Sequence, residues 1–437
     1  MNNSLTENKK IYKQKNIKVP IIAVITLSIL LLVGPTSMTL NAFAQGNTAN
    51  QAIGQAQSST QLGVCVSGTG TLISCNNLNA QNQANSGNNA AAQQGGNGAN
   101  TANQAIGQAQ SSSQNALCVS GTGTFVSCNN LNAQNQANTG NNALAQQGGS
   151  GSGKGGSGGN SANQGIGQSQ TSNQNSGVVS GGNTANSGNN QNTQTQNNAG
   201  NNAAAQSGGG GSGSGKGGSG GNSANQGIGQ SQTSNQNAQC VSGGNTANSC
   251  NNTSNQNQAN SGNNAVGQQG GSGKGGSGGN SANQGIGQSQ TSNQNAQCVS
   301  GGNVADSCNN TSTQNQANSG NNAAAQSGGS GKGGNSANQG IGQSQTSNQN
   351  AQCVAGGSLS NSCSNTSTQN QANSGNNAAA QSGGSGKGGN SANQGIGQSQ
   401  TSNQNAQCVS GKDAIVSCDN ESFQNQVNSG NNALGQQ

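Results

Sequence analysis

The chain has 437 residues, 77 of them glycine, with only 4% charged and no histidine or tryptophan. Its 11 basic residues are all lysine and its acids are Glu7, Asp306, Asp413, Asp419 and Glu421, which removes most side chains that do general acid–base work or bind metals. The net charge of +6 is concentrated at the start, in Lys9, Lys10, Lys13, Lys15 and Lys18, leaving no basic stripe for a nucleic acid. The composition points away from an enzyme, from a bound cofactor or metal and from nucleic-acid partners.

Residues 1–44 read as a secretion signal. Behind the lysines runs the apolar stretch Ile21 to Val33, broken by Gly34 and Pro35, and Ala42-Phe43-Ala44 places small residues where a signal peptidase reads. Cleavage is expected after Ala44. The rival is an uncleaved anchor, since Ile21 to Leu40 nearly reaches the length of a bilayer span. Either way the remainder is expected to be secreted or held at the cell surface, meeting a membrane only through this segment.

From Asn47 the chain repeats. Seven units of 48 residues open with N-[ST]-A-N-Q-[AG]-I-G-Q-[AS]-Q and occupy residues 47–94, 100–147, 160–207, 222–269, 280–327, 335–382 and 390–437. Between them lie Gly/Ser strings of 5 to 14 residues, the longest being 148–159, 208–221 and 270–279. Constant units beside spacers of free length predict folded repeats joined by flexible loops.

Within a unit the period is two. Ala162, Gln164, Ile166, Gln168 and Gln170 fall on one face and Asn163, Gly165, Gly167 and Ser169 on the other, which is a strand pattern with Gln in place of most aliphatics. A weaker likeness at a shift of 26 residues places Asn225, Gln230, Gln232 and Asn237 on Asn251, Gln256, Gln258 and Asn263, so each unit reads as two turns of a smaller element. One Ile and a few Val and Ala per unit bury too little apolar area to offset the ordering of a unit. Stacked copies would instead let amides bond to the same residue above and below, with Gln168, Gln170, Gln230, Gln232, Gln256 and Gln258 as the candidate ladder.

Twelve cysteines form C-x9-C pairs: Cys65 and Cys75, Cys118 and Cys128, Cys240 and Cys250, Cys298 and Cys308, Cys353 and Cys363, Cys408 and Cys418. The third unit has lost both members together, with Val178 and Gly188 in their places, as pairing within a unit predicts. In an exported chain this spacing predicts six local disulfides, each closing a loop worth about 3 kcal/mol on a chain-entropy basis. The Gly-Asn content of the enclosed stretch predicts a hairpin stapled by the bridge. Zinc would need ligands from two units.

N-x-[ST] sequons at Asn251, Asn252, Asn309, Asn310, Asn365 and Asn420 are candidate glycosylation sites. One lysine recurs in most spacers, at Lys154, Lys216, Lys274, Lys332 and Lys387, and reads as a solubilising charge. The last unit holds Lys412, Asp413, Asp419, Glu421 and Phe423, and this inserted charge reads as a cap on the stack.

The second half of the unit resembles the repeats of curli-type functional amyloid subunits, whose pattern includes Q-x-G-x-x-N-x-A-x-x-x-Q. Gln258, Asn263, Ala265 and Gln269 match in spacing, as do Gln83, Asn88, Ala90 and Gln94, then Gln136, Asn141, Ala143 and Gln147, and finally Gln426, Asn431, Ala433 and Gln437. The glycine is displaced to Gly262, and the disulfides and Gly/Ser spacers have no counterpart in the pattern. The resemblance implies a β-solenoid subunit of an extracellular fibre. The expectation is therefore an all-β repeat protein, a β-solenoid-like stack of seven units with disulfide-stapled hairpins. It would be a non-catalytic structural protein of the cell surface or matrix whose partner is itself. The competing expectation is a largely disordered, hydrated surface spacer with order confined to the disulfide loops; a flat ice- or carbohydrate-binding face is a third, for which sustained Thr-x-Thr rows are lacking.

Overall fold

The structure, a computed structural model, describes residues 39–44, 48–69, 71–72, 75–95, 100–148, 159–208, 221–270, 279–328, 334–383 and 389–437. Residues 1–38, which hold most of the expected secretion signal, most of the spacer residues and the five spacer lysines lie outside the described residues.

Each unit is one coil of a parallel β-solenoid. In the fourth coil the chain runs along a long strand, Asn222–Ser242, turns through Thr246–Ala247, and returns along Asn252–Asn260 and Asn264–Gln269. Seven coils stack to give four parallel sheets: 7 long strands, 7 corner strands, 7 nine-residue strands and a closing sheet of 8, which gains the extra strand Thr39–Ala44. Order thus extends through the whole unit rather than stopping at the disulfide loops.

Register is set residue by residue. Asn160, Ile166 and Ser180 pair with Asn222, Ile228 and Ser242 on one side and with Asn100, Ile106 and Ser120 on the other. The separation between stacked equivalents is 53, 60, 62, 58, 55 and 55 residues along the stack. Spacer length therefore changes the separation without moving the register, because a one-residue slip would turn every buried side chain outward.

Two expectations are corrected here. The two similar halves of a unit are the facing layers of a single coil, not two stacked turns: Gln232 of the long strand donates to the Asn257 carbonyl opposite at 3.0 Å. The bridged segment is the corner between those layers rather than a hairpin. Among the described residues all strand pairing is parallel, and Thr246–Ala247 pairs with Thr184–Ala185 and Val304–Ala305 of the adjacent coils.

The interior holds three apolar columns. One is Ile53, Ile106, Ile166, Ile228, Ile286 and Ile341; a second packs long-strand alanines such as Ala162 and Ala224 against Leu144, Ala204 and Val266; the third surrounds the disulfides at the corner. Between the columns the buried positions are mostly Gln, Asn and Ser.

Candidate functional site

The period of two turns alternate amides inward, and stacking then places each beside its own equivalents. Gln168 donates from Nε2 to Gln108 Oε1 at 2.8 Å and receives the same bond from Gln230 at 2.8 Å; Gln170 donates to Gln110 at 2.9 Å and receives from Gln232 at 2.9 Å. On the facing layer Gln256 and Gln258 donate to Gln194 and Gln196, both at 3.0 Å. The second hydrogen of each amide crosses the core to a backbone carbonyl of the opposite layer. Gln168 reaches Asn197 at 3.2 Å, Gln170 reaches Thr195 at 3.1 Å, Gln256 reaches Thr291 at 3.0 Å and Gln258 reaches Ser289 at 2.9 Å. A buried carboxamide costs free energy unless its two hydrogens and its oxygen are satisfied, and here all three are. The amides hold coils together along the stack and hold the two layers together across it.

The sequence did not single out the asparagine columns. Asn130, Asn190 and Asn252 form one, bonded from Nδ2 to the next Oδ1 at 2.9 and 3.0 Å, and Asn138, Asn198 and Asn260 form another at 2.8 Å. These bonds point toward the C-terminal end, whereas the buried glutamine bonds point toward the N-terminal end. The signal was present as N at fixed unit positions, but an N-rich composition hides which ones face inward. One such column stops early: Asn132 donates to Asn192 Oδ1 at 2.8 Å, but Ser254 stands next in line, and Asn192 Nδ2 and Ser234 Oγ are left without hydrogen-bond partners.

The cysteines pair as six bridges within their own units, Cys65–Cys75, Cys118–Cys128, Cys240–Cys250, Cys298–Cys308, Cys353–Cys363 and Cys408–Cys418, with Cα–Cα distances of 6.0 to 6.1 Å. They stack into one column, so that sulfurs of Cys298, Cys308 and Cys353 from successive bridges lie within 4.8 Å of each other. The second cysteine of each pair has a left-handed backbone, φ 54 to 63°. In the third coil Val178 fills the space of the missing bridge, and Gly188 keeps the left-handed turn at φ +69°. A Cβ on Gly188 would lie 2.9 Å from both Val178 Cγ2 and Cys250 Sγ, so a valine at 178 fits best beside a glycine at 188.

Most sequons are used by the stack itself. Asn252, Asn310 and Asn365 are 1%, 1% and 0% exposed, and their Nδ2 groups donate into the asparagine column and across the core. A glycan on that nitrogen has no room in this fold, which corrects the expectation for these three. Asn251 and Asn309 accept the next coil's backbone N–H through Oδ1 and donate to Asp306 and Asn361 carbonyls. Asn420 lies exposed on the last coil.

That last coil carries its charges outward. Glu421 and Phe423 sit in register with the outward Thr366 and Thr368, and Lys412 and Asp413 lie in the corner. The inward glutamine column meanwhile runs on to Gln394, Gln398, Gln400 and Gln404 at the end of the stack. The charges expected to cap the stack thus leave its inner edge uncovered among the described residues.

Comparison of the chain with known families, characterised proteins and solved structures gave no match. Of the curli-type likeness, the structure carries the repeated all-β architecture; the family itself has no further support. What stands is an all-β, disulfide-bonded repeat protein, whose bridges fit an oxidising compartment.

Proposed function

We propose that this chain is an exported, non-catalytic structural protein of the cell surface or extracellular matrix whose partner is another copy of itself. One observation carries the reading: a coil satisfies its buried amides and its backbone by bonding to further coils, and among the described residues most strands of the first and last coils are terminal in their sheets. Stacking identical amides is also how fibrous cross-β assemblies gain order without an oily core. A chain poor in acids and lacking histidine has little with which to transform a substrate. Its bridges suit life outside the cytoplasm.

Sedimentation velocity of the oxidised protein against concentration, followed by fibre diffraction, tests this. Polymers with a meridional repeat near about 4.8 Å are expected. A chain freed of residues 1–44 that stays monomeric at every concentration would sink the proposal.

A further inference from the structure

The end faces of the stack are chemically complementary, and one of them is already occupied in part by the chain's own N-terminal strand. In the interior each buried glutamine of the long strand bonds toward the N-terminal end as well as across the core. In the first coil Gln55, Gln57 and Gln61 accept from Gln108, Gln110 and Gln114 of the second coil, but the bonds they donate run across the core, to the Ala84, Asn82 and Leu78 carbonyls at 3.4, 3.3 and 2.7 Å. Their second amide hydrogens therefore look out of the N-terminal face. At the other end Gln398, Gln400 and Gln404 each donate back to the sixth coil at 2.8 to 2.9 Å, and their Oε1 atoms look out of the C-terminal face. Donors at one end match acceptors at the other in the same columns. Two like ends would set donor against donor and would turn the strands antiparallel.

Thr39–Ala44 lies on the N-terminal face of the closing sheet, pairing Thr39 with Ala90, Leu40 with Ala91 and Ala42 with Gln93. In the stack each closing strand places its Asn, Ala and following residues on those of its neighbour, as Asn377 and Ala378 do on Asn432 and Ala433. Continued by one coil, Asn432–Gln436 of a second copy would lie on Asn89–Gln93. The two strands claim the same edge and exclude each other.

We propose that the N-terminal face of the first coil is a docking site for the C-terminal face of a second copy, and that Thr39–Ala44 is its intramolecular competitor. This rests on the self-association proposed above and adds its polarity, its register and the strand that blocks it. The expected cleavage point after Ala44 is where the blocking strand ends, so leader removal and the opening of the site are one event. The other strands of the first coil, Thr48–Ser67, Thr71–Leu72 and Asn77–Asn85, are terminal in their sheets among the described residues.

The test uses two full chains with a site-specific protease sequence placed between Ala44 and Gln45. One carries Ser58→Cys and the other Thr401→Cys, at exposed outward positions of the same column, through Ser58 on Ser111 and Thr346 on Thr401. Stacked strands lie about 4.8 Å apart, within the Cα span of a disulfide. The chains are folded oxidised, checked for strand content by circular dichroism, mixed, and mapped by mass spectrometry before and after cleavage, with sedimentation in parallel. Bridges between positions 58 and 401 that appear only after cleavage are expected. Bridges of 58 to 58 or 401 to 401 would overturn the polarity, and equal bridging before and after would overturn the competitor. Failure to sediment as polymer in any sample would instead overturn the self-association on which the inference rests.

Discussion

Replacing Gln232 with leucine separates an amide-specified core from an ordinary apolar one. Gln232 is buried, donates to Gln170 Oε1 at 2.9 Å and to the Asn257 carbonyl at 3.0 Å, and accepts from Gln290 Nε2 at 2.9 Å. Leucine has nearly the same reach and fits the space. The substitution leaves Gln170 Oε1 without its donor and one Gln290 hydrogen without its acceptor, while Gln290 keeps its bond to the Asn315 carbonyl at 3.1 Å. Two orphaned buried groups cost about 1–3 kcal/mol each, so roughly 2–6 kcal/mol together. Burying a leucine returns about 2 kcal/mol, and the net loss is roughly 0–4 kcal/mol, with about 2 kcal/mol as the central expectation. Because a stack of coils need not unfold in one step, the assay is amide exchange read peptide by peptide. Exchange through the long strands of coils three to five should speed by about tenfold for each 1.4 kcal/mol lost. Gln239→Leu is the control, since Gln239 is exposed and makes only a 3.4 Å contact with Gln297; it should change stability by less than about 0.5 kcal/mol. If Gln232→Leu slowed exchange, or matched the control, the amide network would not be what orders the core.

The paired substitution Val178→Cys with Gly188→Cys should rebuild a seventh bridge, seen as the loss of two hydrogens by intact mass, and should stabilise the third coil by up to about 3 kcal/mol less the strain of a left-handed cysteine. Gly188→Ala alone should lower the stability of the third coil by about 2–3 kcal/mol, read by the same peptide-level amide exchange, because it adds a Cβ where Val178 and Cys250 already sit and imposes a left-handed alanine. Ser254→Asn should extend the truncated asparagine column, giving Asn192 Nδ2 an acceptor. A gain of about 1 kcal/mol is expected from one restored buried bond, and faster amide exchange in the third and fourth coils would show that the buried Ser234 and Ser292 leave no room for it.

Much of this protein is legible in its residues alone. Period-two alternation from Ala162 to Gln170 identifies the inward face of the long strand, since a strand has no other way to use such a pattern. Constant units with free spacers mark the coil and its loops. Joint loss of cysteine at Val178 and Gly188 reveals the pairing, because a bridge is lost as a pair. What only tertiary structure decided is where things lie across the core and along the stack. The 26-residue likeness between Gln232 and Gln258 is equally compatible with stacked turns and with facing layers, and the crossing bonds from glutamine amides to opposite carbonyls resolve it. A Gly-Asn stretch between two cysteines serves a hairpin or a corner equally well locally, and only parallel pairing with neighbouring coils makes it a corner. Asn252 and Asn251 are indistinguishable as sequons, yet one is sealed in a column and the other caps a neighbour's backbone N–H. The direction of the amide bonds is likewise absent from the sequence, for a carboxamide is donor and acceptor at once and acquires a polarity only when its neighbours are stacked in place.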